Sequence, residues 1–134
     1  MINDEYVKFG TAKLLKEKGF DWKVFHFYDE EGHLKHREGD CYSLYDWNYP
    51  TRDEYGSQYC SAPTQQMACR WLRETQGLWI IPMPCEDGGC YFKIYKRYGK
   101  IWKDNVYGHT DYEDFDEPED AIEAALEYAL TNLI

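Results

Sequence analysis

Five cysteines are the residues of this chain best suited to chemistry, and none of them lies in a recognised catalytic or metal-binding motif. Cys60 precedes a predicted helix start, where the helix dipole can stabilise a thiolate, but no histidine is placed by spacing to act as its base. Cys85 and Cys90 are separated by four residues in a Gly-rich turn, the wide end of zinc-knuckle spacing, and no second such pair accompanies them. We therefore expect no catalytic residue, no cofactor and no metal, and a Cys60-dependent enzyme is the least favoured alternative.

Binding of single-stranded nucleic acid is the chemistry that residues 91–103 favour. This stretch contains five cations and no acid, interleaved with aromatic residues. Cations can hold phosphates while flat rings stack bases. An amphipathic hairpin whose cations face solvent, or pair with the acidic C-terminal segment, is the simpler alternative. The candidate binding residues in this stretch are Lys93, Tyr95, Lys96, Arg97, Lys100 and Trp102.

An aromatic segment before residue 60 is a second candidate binding surface. Tyr45, Trp47 and Tyr49 share one side if the chain is extended there, and Tyr and Trp provide contact area at low entropy cost. Such a surface could bind a peptide, a sugar or a base. The rings are equally suited to completing a core that is poor in Leu and Val, so both alternatives stay open.

The formal net charge of -10 lies entirely in the last part of the chain. All 15 Lys and Arg lie at or before Lys103 together with 15 acids, whereas residues 104–134 carry 10 acids and no base. The acidic stretch could imitate a phosphate backbone for a DNA-binding host protein, or bind another basic partner. A solvated loop ahead of a helix start is the more ordinary explanation of such a charge run. The candidate acidic partner surface comprises Asp111, Glu113, Asp114, Asp116 and Glu117.

The helices that must position these residues follow from apolar periodicity and from their capping residues. Helical spacing predicts a first helix over residues 4–18, which Gly19 ends. Ser61 is expected to cap a second helix that has Pro63 in its first turn and stops at Gly77. A third helix is expected to start with a capping box at residues 116–119.

The strands come from aromatic and β-branched runs between turn residues. Hairpins are predicted over residues 22–36 and 90–103, and the apolar run 78–82 predicts a central strand with both faces covered. The order helix, hairpin, helix, hairpin, helix predicts an α+β fold with one antiparallel or mixed sheet of about four strands covered by helices. The length of 134 residues predicts a single domain, 1–134.

The composition favours a cytoplasmic protein. The longest apolar run is far below the roughly 20 residues of a membrane-spanning helix, and the N-terminus is acidic where a secretory signal would be basic. The odd number and irregular spacing of the cysteines favour reduced thiols over a disulfide framework. An exposed edge strand in one of the hairpins could also form a homodimer.

A family resemblance rests on two segments, EYVKF with AKLLKEKGF near the N-terminus and YCSAPTQQMACRWLRE in the middle of the chain. These segments are similar to small uncharacterised proteins of phages and prophage-like elements of gut bacteria. The helix, strand, strand, helix layout of the C-terminal two-thirds also resembles phage α-β-α sandwich domains. The resemblance implies a mobile-element context and names no site.

The sequence thus predicts a small binding protein without catalytic activity that acts on a macromolecule. A protein partner is expected ahead of nucleic acid, and no membrane partner is expected. The alternatives are an acidic inhibitor of a host DNA-binding protein and a single-stranded nucleic-acid binder that uses residues 91–103.

Overall fold

The computed structural model describes residues 5–36, 44–48, 59–86, 88–104 and 115–134. These residues group into two units, residues 1–64 and 65–134, and each unit is described by itself. A single domain over the whole chain stays a prediction. The described elements, in chain order, are α1 (Phe9–Glu17), β1 (His26–Tyr28), β2 (Leu34–His36), β3 (Cys60–Ser61), α2 (Gln65–Gln76), β4 (Leu78–Pro84), β5 (Cys90–Tyr98), β6 (Ile101–Asp104) and α3 (Pro118–Asn132).

The described elements are α+β, but the predicted arrangement of helices and hairpins in one sheet of about four strands is wrong. The strands form two antiparallel sheets of three strands each, in the orders β2-β1-β3 and β4-β5-β6. The extra strand β3 pairs with β1 through Phe27 opposite Ser61 and Tyr28 opposite Cys60. A strand of two residues has no periodicity to read, so only its pairing with a distant strand reveals it.

In the first unit, α1 begins later than its apolar spacing predicts. Tyr6 forms an isolated antiparallel bridge with Thr64, and the amide of Val7 donates to the carbonyl of Pro63 at 3.1 Å. Residues 6 and 7 therefore pair with residues 63 and 64, far along the same chain, and α1 starts only at Phe9. Gly19 follows the helix with a φ of 90°, the left-handed conformation that ends a helix at little cost for glycine.

The turn between β1 and β2 is built around one largely buried carboxylate. Oδ1 of Asp29 accepts hydrogen bonds from the amides of His33 and Glu31, each at 2.9 Å, and Oδ2 lies 3.0 Å from Nζ of Lys35. The amide of His33 and the interactions with Lys35 and the amide of Glu31 outweigh burial and lower the pKa of Asp29 to about 2. The same ion pair raises the pKa of Lys35.

Within the first unit, residues 44–48 are joined to other segments by hydrogen bonds. Val24 and Tyr45 exchange both backbone hydrogen bonds, at 2.9 and 3.0 Å. The buried side chain of Asn48 donates to the carbonyl of Phe20 at 2.9 Å and accepts from the amide of Ser61 at 2.8 Å. One amide side chain therefore joins the segment both to the end of α1 and to β3.

The predicted capping role of Ser61 is wrong. Ser61 lies in β3, and its Oγ accepts a hydrogen bond from the amide of Trp47 at 3.0 Å. The second helix instead begins at Gln65, after Pro63. The position of Ser61 in the sequence suits a helix cap, but its pairing in β3 places the hydroxyl next to residues 44–48 instead.

In the second unit, α2 and α3 pack against the sheet of β4 and β5. The buried Nε2 of Gln65, at the start of α2, donates to the carbonyl of Glu119 and to Oε1 of the buried Glu123, both at 2.9 Å. Helix α3 has Glu117 as its N-cap without a side-chain capping bond, so the expected capping box is not formed. Apolar residues at helical spacing in α3 are buried, and they include Ala125, Leu126, Ala129 and Leu130.

The predicted position of β4 as a central strand is wrong, because β5 lies between β4 and β6. Leu78 and Ile80 are buried, whereas Trp79 between them is 39% exposed. The strand also continues through Pro82 and ends at Pro84. An edge strand tolerates proline because an amide on its open side has no ladder partner to lose.

We expect Asn48→Ala to lower the free energy of unfolding by about 1–3 kcal/mol, because two buried hydrogen bonds are lost. Urea denaturation followed by far-UV circular dichroism measures the change. Leu44→Ala, at an exposed position of the same segment, is the matched control and should have little effect. Equal stability of the two variants would show that Asn48 does not hold the segment in place.

We expect Asp29 to contribute stability at neutral pH that disappears in acid. Its pKa falls from an ordinary 3.8 to about 2 in the folded chain, so the contribution is complete above the unfolded pKa and is lost as the pH falls through the folded pKa. Denaturation of wild type and Asp29→Asn along a pH series should show a difference near neutrality that shrinks as the pH approaches 2 and is lost below it. Glu30→Gln, an exposed change in the same turn, is the control, and a difference that persists unchanged in acid would contradict the assignment.

Candidate functional site

The hairpin of β5 and β6 carries most of the candidate binding residues. Its strands are joined at Gly99 and Lys100, where Gly99 has a φ of 63°, and Tyr98 pairs with Ile101. A two-residue connection with positive φ fits the twist of antiparallel strands. Along β5 the buried Phe92 and Ile94 alternate with half-buried residues, and those half-buried residues are Tyr91, Lys93 and Tyr95.

Three aromatic residues from three adjacent strands lie together on the sheet face opposite Phe92 and Ile94. We call Trp79, Tyr95 and Trp102 the aromatic face. Trp79 is directly opposite Tyr95 in the register of β4 and β5, and their ring centroids are 6.4 Å apart. The ring of Trp102 meets that of Trp79 edge-on, with centroids 5.5 Å apart.

Four exposed cations surround the end of this hairpin, namely Lys96, Arg97, Lys100 and Lys103, and we call them the cationic tip. Arg97 is opposite Trp102, with its guanidinium 5.8 Å from the ring centroid, and its Nε donates to the carbonyl of Gly99 at 2.8 Å. On the other face, the ammonium groups of Lys96 and Lys103 lie 5.9 and 5.6 Å from the ring centroid of Tyr98. The tip therefore presents cations on both faces of the hairpin.

The ion pairs between described residues lie elsewhere. These ion pairs include those that join Asp29 to Lys35, His33 to its neighbouring acids, and Arg70 to Glu74. Within the part of the chain that the structure describes, Lys96, Arg97 and Lys103 lie near aromatic rings and Arg97 also donates to a backbone carbonyl, and the ion pairs named above do not include them. Lys93 differs from the tip, because it is half-buried and has other contacts.

The second predicted surface is described only in part. Trp47 stacks on Phe27 with ring centroids 4.0 Å apart, and its Nε1 donates to the carbonyl of Val24 at 3.3 Å. Tyr45 is 37% exposed and packs edge-on against Trp47, and Tyr49 lies outside the described residues. The ring of Trp47 is therefore engaged in packing, which is the alternative that the sequence left open.

The predicted acidic surface is also described only in part. Asp116 and Glu117 are exposed just before α3. Asp111, Glu113 and Asp114 lie outside the described residues. The acidic surface stays a prediction.

The thiol chemistry considered for Cys60 is not favoured by its surroundings. Cys60 is buried in β3, and the expected helix start is absent there. Burial raises the pKa of the Cys60 thiol, against a smaller opposing effect of Lys16 and Lys13, so little thiolate forms near neutral pH. Burial likewise raises the pKa of Cys69 to about 12.

Metal binding finds no support in the described part of the chain. There, no group of three or more His, Cys, Asp or Glu residues is arranged to hold a metal ion. The described cysteines, Cys60, Cys69, Cys85 and Cys90, are free thiols. The expectation of no metal and no cofactor stays a prediction.

Trp79 is the residue that the sequence reasoning missed. The run around it was interpreted as a strand with both faces covered, so an exposed ring was not expected. The Gly-rich sequence between Pro84 and Cys90 is the signal that could have revealed it, because a hairpin that pairs these two residues places Trp79 opposite Tyr95. The register of a hairpin follows from its turn, and neighbours across the strands follow from the register.

Comparison with known proteins adds no family to these observations. No family model, no curated protein and no solved structure matches the chain. The resemblance to phage and prophage proteins therefore stays a prediction. Among the described residues, the helices are all too short or too polar to cross a bilayer.

We expect Cys60 to resist alkylation in the native protein. A raised pKa keeps the thiol protonated near pH 7, and burial shields it from the reagent. Iodoacetamide treatment followed by peptide mass spectrometry should leave Cys60 unmodified in native protein and modify it in urea, which serves as the internal control. Rapid native alkylation near pH 6 that Cys60→Ser removes would instead restore the enzyme hypothesis.

Proposed function

We propose that the protein is a non-enzymatic binding protein whose partner is a nucleic acid, bound through the cationic tip. The observation that supports this most directly is the set of exposed cations at the tip, none of which is paired with a described carboxylate. Their positions on both faces of one hairpin suit an extended polyanion better than a single small anion. A phosphate backbone is the polyanion that such cations commonly bind.

The acidity of the whole chain does not prevent such contact. At about 0.1 M salt, charges beyond roughly 10 Å are largely screened, so local cations dominate short-range binding. The net charge instead lowers long-range attraction, which makes low affinity and strong salt dependence the expected behaviour. Because exposed cations lie on both faces of the hairpin at the cationic tip, we prefer nucleic acid to the protein partner that the sequence favours.

The setting of this function is part of the same proposal. A phage or prophage origin and a cytoplasmic location fit a small nucleic-acid-binding protein, and both were expected from the sequence. The buried Cys60 and its raised pKa support the non-enzymatic part.

The test is fluorescence anisotropy of labelled DNA and RNA strands at low and moderate salt. We expect Lys96→Gln/Lys100→Gln/Lys103→Gln to weaken binding at least about tenfold and to reduce the slope of log affinity against log salt by about 2, at roughly 0.7 for each lost phosphate contact.

The control is a triple variant with the same change of charge in the first unit, Lys8→Gln/Lys13→Gln/Lys23→Gln, which should bind nearly as well as wild type. Binding that fails even at low salt, or that weakens equally in the two triple variants, would refute a role for the cationic tip.

A further inference from the structure

We propose that the aromatic face stacks unpaired bases, so that the ligand is a single strand in preference to a duplex. This inference rests on the proposed function, since it adds a base-binding surface to the phosphate-binding tip. Trp79, Tyr95 and Trp102 share one face because cross-strand partners and alternate residues of a strand project to the same side. Exposed rings on a nucleic-acid-binding surface stack any base, whereas a duplex keeps its bases stacked internally.

Trp79 is the most open ring of the aromatic face. It is 39% exposed, while its neighbours Leu78 and Ile80 are buried and contribute to the core. Trp102 contacts it edge-on and limits its movement. A ring that is already held in place loses little conformational entropy when a base stacks on it, which favours binding.

Arg97 joins the aromatic face to the cationic tip. It projects to the same side of β5 as Tyr95, and its guanidinium lies over Trp102 while its Nε is bonded to Gly99. A phosphate at this guanidinium would place an adjoining base beside the rings. Each nucleotide of a single strand carries a phosphate and a base close together. Here the cationic Arg97 likewise lies next to the aromatic Trp102.

Charge complementarity favours a polyanion at this end of the sheet, because residues 91–103 carry five cations and no acid. Charge alone would also attract an acidic segment of a protein. The rings distinguish the two ligands, since carboxylate side chains have no flat apolar face to stack. The structure therefore favours a ligand that carries both phosphates and bases.

The experiment compares single strands of equal backbone charge that differ in their bases, together with a duplex, whose two strands carry twice as many phosphates. Labelled strands of about 12 nucleotides are prepared as oligothymidine, oligouridine, a base-paired duplex and an abasic strand, and heparin and polyglutamate serve as competitors. The affinity of each labelled probe is measured by fluorescence anisotropy with wild type, Trp79→Leu and Trp79→Phe. Circular dichroism first shows that both variants are folded. Leucine keeps an apolar side chain without a ring, and phenylalanine keeps a flat ring.

We expect oligothymidine or oligouridine to bind more tightly than the abasic strand and the duplex, and to quench tryptophan fluorescence. Trp79→Leu should weaken binding to the base-containing strands about tenfold and leave the abasic strand unaffected, while Trp79→Phe should retain most of the affinity. The ratio between oligothymidine and oligouridine shows whether the strand is DNA or RNA.

Equal binding of the abasic strand, the duplex and the single strands, without an effect of Trp79→Leu, would overturn base stacking and leave phosphate binding by the tip intact. Competition by polyglutamate as strong as that by oligothymidine would overturn it in favour of an acidic protein partner. Failure of every labelled strand and of the duplex to bind even at low salt would instead refute the proposed function itself.

Discussion

The pairing of β5 with a strand on each side is the constraint on which the second unit depends. Phe92 and Ile94 are buried on the face covered by helices, so the residues between them must lie on the other face. A slip of one residue in either pairing would put aromatic and apolar side chains on the wrong sides of the sheet. The same register that builds the core therefore brings Trp79, Tyr95 and Trp102 together.

The first unit depends on polar side chains that hydrogen-bond to backbone groups. Its strands have only two or three residues each, too few to hold a sheet together by ladder bonds alone. Asn48 and Asp29 supply additional bonds at fixed positions, one to a distant segment and one within a turn. The amide of Ser61 that donates to Asn48 is buried, and an unpaired buried amide is costly.

Aromatic residues serve two purposes in this chain, and burial separates them. Trp47 packs on Phe27 and bonds to the backbone, so it contributes to structure. Trp79 and Tyr98 remain substantially exposed at a sheet edge and a hairpin end. Trp47 follows Asp46 and Tyr98 follows Arg97, so a charged neighbour in the sequence does not separate core rings from surface rings. Cations lie near the rings of Tyr98 and Trp102. A surface that combines cations with rings can contact both phosphates and bases.

The sequence by itself determined the features that depend on neighbouring residues. These are the end of α1 at Gly19, the apolar stripe of α3, and the alternation of buried and half-buried residues along β5. Only the tertiary structure decided that residues 60–61 form a strand, that Ser61 is not a helix cap, and that Trp79 lies beside Tyr95 and Trp102. The physical reason is that periodicity and turn residues act over a few positions, whereas strand pairing and buried hydrogen bonds join residues far apart in the chain and have no local signature.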